Sequence, residues 1–175
     1  MLTKQDCLYQ PYYCEENIWQ LCQKDYFKGR EVKVLFLLPT EANYIALWHQ
    51  KLTDPDQPVF WDYHVILFDV TNLQIFDFDT HLTFPFNAKS YFTLSFGIEY
   101  PKYLPRFKVF DKDPFVENFS SDRSHMLDDR GRWLAEPPAW PFILNEQGVS
   151  LKNILFEEKS PFSTNYSFYE MQAET

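Results

Sequence analysis

The pattern of apolar and polar positions predicts one helix followed by a run of strands. After a Tyr-rich lead, Cys14 to Gln23 carries helix-forming residues with two acids, Glu15 and Glu16, in what would be the first turn. At 100° per residue Cys14, Ile18, Leu21 and Cys22 fall on one side, which places the cysteine on the core side of the helix N-terminus. Lys28-Gly29-Arg30 reads as the stop. The β-branched and apolar run Val32 to Leu38, ending at Pro39, has the composition of a buried strand. A short strand over Ile45 to His49, a long one over Val59 to Val70, a turn at Thr71-Asn72 and a partner strand from Leu73 to Thr80 follow.

Beyond residue 82 the alternation loosens. Ser90 to Ile98 fits helix or strand, and Arg106 to Phe110 fits a short strand. Asn118 to Arg132 is polar enough for a loop, and the consecutive prolines of Glu136 to Pro141 require extended chain. Helix first and then strands with an antiparallel hairpin imply an α+β fold, a mainly antiparallel sheet flanked by helices, rather than a doubly wound parallel one. With 175 residues, 45% of them hydrophobic, one core and a single domain over residues 1–175 are expected. Aromatics at 19% mean that large flat side chains supply much of that core.

Charge changes the picture by exclusion. A formal net charge of −9 with scattered Lys and Arg argues against nucleic-acid or anionic-membrane partners, which need a concentrated basic surface. No segment approaches the roughly 20 apolar residues of a membrane span, and the N-terminus lacks a signal-peptide stretch, so a soluble, cytosolic protein is expected. Three cysteines, Cys7, Cys14 and Cys22, are an odd number without zinc-ribbon spacing, which favours free thiols. The absence of a Gly-rich phosphate loop speaks against nucleotide chemistry.

Covalent amide hydrolysis needs a nucleophile, a base and a group that orients the base. Cys14 at a helix N-terminus fits the first role, because the dipole and free N–H groups favour a thiolate and an adjacent oxyanion. A buried small residue is the blander alternative. His64 lies within the long strand, where alternation puts Phe60, Asp62, His64, Ile66 and Phe68 on one face. A two-residue turn at Thr71-Asn72 would set Ile66 opposite Asp77 and His64 opposite Asp79, giving the histidine two possible carboxylate partners. Spacing does not choose between them, and a surface His–Asp pair is the competing reading. His49, His81 and His125 read as solvated. A metal site of Cys14, His64 and Asp77 is conceivable, but the chain has no CxxC, HxxxH or HExxH spacing.

Four separated stretches, Tyr13 to Trp19, Trp61 to Val65, Asp77 to Thr80 and Phe119 to Met126, together resemble the protein N-terminal glutamine amidohydrolase family, over roughly residues 7 to 145. The resemblance implies a papain- or transglutaminase-like cysteine hydrolase that deamidates N-terminal glutamine to glutamate in the N-degron pathway, with nucleophile Cys14, base His64 and, resolving the tie, orienting acid Asp77. It implies no cofactor, protein or peptide substrates with N-terminal Gln, and a monomer. Recognition of the substrate's α-ammonium needs an acid, and Glu16, Asp62 and Asp122 are the candidates. The competing view of Glu16 is a solvated first-turn acid, and that of Asp122 and Arg123 a loop-stabilising ion pair. A cysteine protease or transglutaminase with the same triad, and a binding module presenting Trp133 to Pro141, are the alternative functions.

Overall fold

The structure, a computed structural model, describes residues 2–145 and 148–175. The chain enters through a 3-10 turn at Lys4–Asp6 and forms helix α1 at Cys14–Cys22. Strands β1 (Val32–Leu38), β2 (Ile45–Leu47), β3 (Val59–Trp61), β4 (His64–Asp69), β5 (Gln74–Phe76) and β6 (Phe86–Asn87) follow, then helix α2 (Ala88–Ser95). Strand β7 (Arg106–Asp111), helix α3 (Lys112–Asn118), strands β8 (Phe119–Ser120) and β9 (Val149–Ser150), helix α4 (Leu151–Phe156), strand β10 (Ser163–Tyr166) and helix α5 (Phe168–Ala173) complete the order.

Six strands form one sheet in the order β10-β7-β1-β4-β5-β6, with every pairing antiparallel, so the expected α+β class holds. Because β1 and β4 are central and covered on both faces, their side chains divide between two cores. Val34, Phe36, Val65 and Leu67 join α1, α3 and α4 on one face. Leu35, Leu37, Ile66 and Phe68 join α2 and α5 on the other. Among the described residues, no helix is long and apolar enough to cross a membrane.

The strand expected over Val59 to Val70 is two strands. It breaks at Asp62-Tyr63, where the Asp62 carboxylate accepts from the Tyr63 amide at 2.9 Å, and β3 pairs with β2 outside the main sheet. Phe60 and Asp62 consequently lie exposed, off the face that carries His64. The hairpin register is the expected one, with Leu67 opposite Phe76 and Phe68 opposite Ile75, but the ladder stops at Phe76. Asp77 to Thr80 leave it and are held instead by a bridge from Gln50 to Thr80 and by the Lys51 amide on the Asp79 carbonyl. The region expected as a polar loop, Asn118 to Arg132, contains β8 and a 3-10 turn at Ser124–Met126.

Candidate active site

Cys14 is the first residue of α1, and Tyr13 caps the helix without a side-chain hydrogen bond. The free amides of that first turn face an approaching anion with the positive end of the helix dipole. The helix is fixed by what flanks it. Asn17 bonds the Gln10 amide and carbonyl, both at 2.8 Å. Glu16, fully buried, accepts from Arg123 through both oxygens (2.9 and 2.8 Å), from Ser121 Oγ (3.0 Å) and from Trp140 Nε1 (2.7 Å). Arg123 also donates to the carbonyls of Pro138, Trp140 and Pro141, which pins the proline-rich strap against α1. The expectation of a solvated Glu16 therefore fails, as does that of an Asp122–Arg123 pair: Arg123 turns inward to Glu16, and Asp122 accepts from the Ser124 amide at 2.9 Å.

His64 begins β4 with no exposure, under the indole of Trp61, whose ring stacks on it at 5.2 Å and 17°. Its Nε2 lies 3.0 Å from Asp77 Oδ1. The same oxygen accepts from the Asp79 amide (2.9 Å), and Oδ2 accepts from Gln50 Nε2 (3.0 Å) and Tyr91 OH (2.8 Å). An ionised carboxylate only accepts, so this cage puts the imidazole proton on Nε2 and leaves Nδ1 as the lone-pair nitrogen of the neutral ring. That Nδ1 is buried and has no hydrogen-bond partner among the described residues. The pair thus lies inside the protein, not on a half-exposed sheet.

Asp79, the other carboxylate of the hairpin, accepts from Tyr9 OH at 2.5 Å. The Lys4 and Lys51 ammonium groups grip the carbonyl of Phe78 beside it, and Lys4 also that of Thr80. Ligand atoms of His64, Asp77 and Asp79 lie within 4.8 Å of one another, a spacing a metal ion could bridge. The Asp77 oxygens, however, already take four donors, so hydrogen bonds account for the arrangement.

The electrostatics divide the site. Burial raises the Asp77 pKa, but the His64 charge and the surrounding donors outweigh it and hold the carboxyl well below the usual range. Burial opposes a charge on His64, yet the Asp77 carboxylate wins and raises the imidazole. Cys14 behaves otherwise than a helix N-terminus alone predicts. Burial pushes its thiol well up, and the charges of Glu15 and Asp79 push it further, against the Val65 amide that lowers it. Helix α1 packs against β4, with Cys14 and Val65 in one core cluster, and His64 is the first residue of that strand.

A cavity of about 360 Å³ opens at this point, lined by Tyr12, Cys14, Asp62, Tyr63, Asp79 and His125 among others. A larger one of about 650 Å³ lies alongside, contains Asp122, and shares His125, Leu155 and Phe156 with the first. Size alone would choose the second; the thiol is in the first. Of the three candidates for ammonium recognition, Asp62 is exposed on the cavity wall, Asp122 lines the neighbouring space and Glu16 is saturated. Two residues that spacing did not single out stand at this cavity instead, one against the thiol and the other against the first. Glu15 is fully buried, with Oε2 3.6 Å from Cys14 Sγ and 3.1 Å from Tyr63 OH. His125 Nε2 lies 3.5 Å from Glu15 Oε1 and 3.4 Å from Tyr63 OH. Glu15 as a first-turn acid beside the candidate nucleophile was the available signal; His125, which its polar loop made look solvated, lies within the fourth motif stretch, Phe119 to Met126.

A mainly antiparallel α+β domain that buries a thiol on a helix packed against the strand carrying a carboxylate-held imidazole has the components of a cysteine hydrolase. A sequence profile of the N-terminal glutamine amidase family matches residues 9–170. Protein N-terminal glutamine amidohydrolases from Bos taurus and Homo sapiens are each 38% identical over 158 residues, covering 85% of this chain and 75% and 76% of theirs. The Danio rerio protein of the same name is 39% identical over 149 residues, covering 78% of this chain and 72% of its own. The chain belongs to the N-terminal glutamine amidase family, and the match runs beyond residue 145, where the resemblance in the motifs ended.

Proposed function

We propose that the protein hydrolyses the side-chain carboxamide of an N-terminal glutamine, in proteins or peptides, to glutamate and ammonia, with Cys14 as nucleophile, His64 as base and acid, and Asp77 as the group that orients His64. The observation that carries this reading is the buried, unpartnered Nδ1 of an imidazole whose Nε2 is held by Asp77, at the start of the strand against which the Cys14 helix packs. Nδ1 takes the proton from Cys14, and the sulfur bonds to the carboxamide carbon. The carbonyl electrons move to oxygen, where the uncapped amides of α1 stabilise them. As the tetrahedral adduct collapses, the C–N bond breaks and Nδ1–H donates to the departing nitrogen, releasing ammonia and leaving a thioester on Cys14. Water then attacks that carbon while neutral His64 takes its proton. The C–S bond breaks, glutamate leaves, and the proton returns to sulfur.

Because burial and two carboxylates raise the resting thiol, the thiolate arises by transfer to His64 rather than existing beforehand. Asp77 stabilises the imidazolium formed in that step. Asp62 on the wall of the thiol's cavity, with Asp122 in the space alongside, gives a negative potential that favours a cationic chain terminus. These steps require no cofactor.

A cysteine protease or transglutaminase would use the same three groups on another amide. Incubation with Gln-initiated, Asn-initiated and internally Gln-containing peptides, followed by mass spectrometry, separates them. The expected result is conversion of the Gln-initiated peptide alone from carboxamide to acid. Backbone cleavage, or crosslinking to an added amine in preference to hydrolysis, would replace the reading.

A further inference from the structure

Glu15 is a fully buried acid whose Oε1 has no hydrogen-bond donor among the described residues. His125 Nε2 stands 3.5 Å away without donating to that oxygen, and among the described residues the other oxygen has only Tyr63 OH and the Cys14 thiol. An acid so placed carries a large desolvation penalty unless something cationic completes it. The next residue shows that the fold can supply donors to a buried carboxylate, since Glu16 takes four of them.

We propose that the Glu15 carboxylate is the receptor for the α-ammonium of the substrate's first residue, and hence the group that restricts the reaction to chain termini. The inference rests on the function proposed above. Its geometry follows from the 3.6 Å between Glu15 Oε2 and Cys14 Sγ. In glutamine four bonds, an extended reach of about 5 Å, separate the α-nitrogen from the carboxamide carbon. An ammonium seated on Glu15 thus leaves that carbon at the sulfur, whereas asparagine is one methylene short. Tyr63, Cys14 and His125, the polar neighbours of Glu15 among the described residues, all line the 360 Å³ cavity. His125 keeps a quarter of its side chain exposed and can yield to an entering terminus.

The arrangement also couples recognition to chemistry. Glu15 is one of the charges that oppose the Cys14 thiolate, and a cation docked on it cancels that opposition. An internal glutamine brings no such cation, and would leave Oε1 buried and unpaired.

The test uses two peptides identical except at the first residue, one beginning with Gln and one with a glutaramoyl group, which has the same carboxamide but no α-ammonium. Ammonia release gives kcat/KM for both, in the wild type and in Glu15→Gln. In the wild type the Gln peptide is preferred by at least about 100-fold. In Glu15→Gln that preference falls below about 10-fold, chiefly through KM of the Gln peptide. If the variant loses the same factor on both peptides, or keeps the wild-type preference, Glu15 is not the receptor. Should Glu15→Gln lack the wild-type circular dichroism spectrum, Glu15→Met, which also removes the charge, takes its place, and a preference that stays at the wild-type value overturns the proposal equally. A wild type that releases no ammonia from the Gln peptide overturns the underlying function instead, which keeps the two failures distinct.

Discussion

Glu15 and Glu16 are consecutive, stand in the same helical turn and are equally buried, yet the protein treats them in opposite ways. Glu16 is enclosed by Arg123, Ser121 and Trp140, and through Arg123 it ties α1 to a strap more than a hundred residues away. Glu15, one residue earlier, meets the thiol and an incomplete set of donors. A saturated carboxylate holds structure; an unsaturated one beside the proposed nucleophile is the proposed receptor. The same contrast recurs across the cleft. Asp77 is caged by four donors, whereas Asp79 has Tyr9 OH and its pKa rises, with burial the main cause and the Asp77 charge adding to it.

The largest effect expected from breaking these contrasts is catalytic. Asp77→Asn keeps the shape but removes the charge that holds His64 in its tautomer, and kcat/KM for a Gln-initiated peptide should fall by about 10⁴-fold. Asp79→Asn should cost far less. A reversed order in steady-state assays would move the orienting role to Asp79.

Next in size is stability. Glu16→Ala strands a buried guanidinium and should destabilise the fold by about 3–5 kcal/mol, read from urea denaturation midpoints. A loss within about 0.5 kcal/mol, the range of an ordinary surface substitution, would show that the strap does not depend on it. Glu15→Gln should by contrast shift stability by no more than about 1 kcal/mol, in either direction, because it removes a charge the fold leaves unpaired.

The smallest effect falls on the frame beneath. Burial, aided by the neighbouring Lys51, lowers Lys4 from 10.5 to about 8 in the folded protein. Between those values the unfolded chain holds a proton that the folded one has released, so stability rises with pH across that window. Lys4 is partly solvated, and screening should keep the gain below about 1 kcal/mol. Lys4→Met should flatten the slope in denaturation series from pH 7.5 to 10.5, and a slope that persists would place its origin elsewhere.

Local pattern made much of the frame legible. The run Val32 to Leu38 is β1 with the expected bounds, Cys14 begins α1, and the turn at Thr71-Asn72 sets the hairpin register observed at Leu67 and Phe76. The break at Asp62-Tyr63 was hidden because apolar and aromatic residues continue on both sides of it. The C-terminal tail, for which the sequence offered no assignment, forms β10 along β7 and then α5, which buries Phe168 and Met171 and begins with a Ser167–Glu170 capping box. That box is a readable signal; the edge pairing is not, since its partner lies about fifty residues earlier.

At the site, the histidine and its carboxylates were placed together by register, whereas periodicity could not say which of two adjacent acids would be saturated. That choice belongs to Arg123, Trp140 and His125, which reach α1 only through tertiary folding. The acidity of Cys14 is likewise set by tertiary packing. A helix N-terminus favours the thiolate, but burial and two nearby carboxylates are set by packing and outweigh it.

The most direct test of the account is the initial rate of ammonia release from a Gln-initiated peptide by the wild type, Cys14→Ala and His64→Ala, with circular dichroism recorded on each. Release by the wild type, and none by either variant while both spectra match the wild type, is the predicted result. Undiminished release by Cys14→Ala or His64→Ala would contradict it.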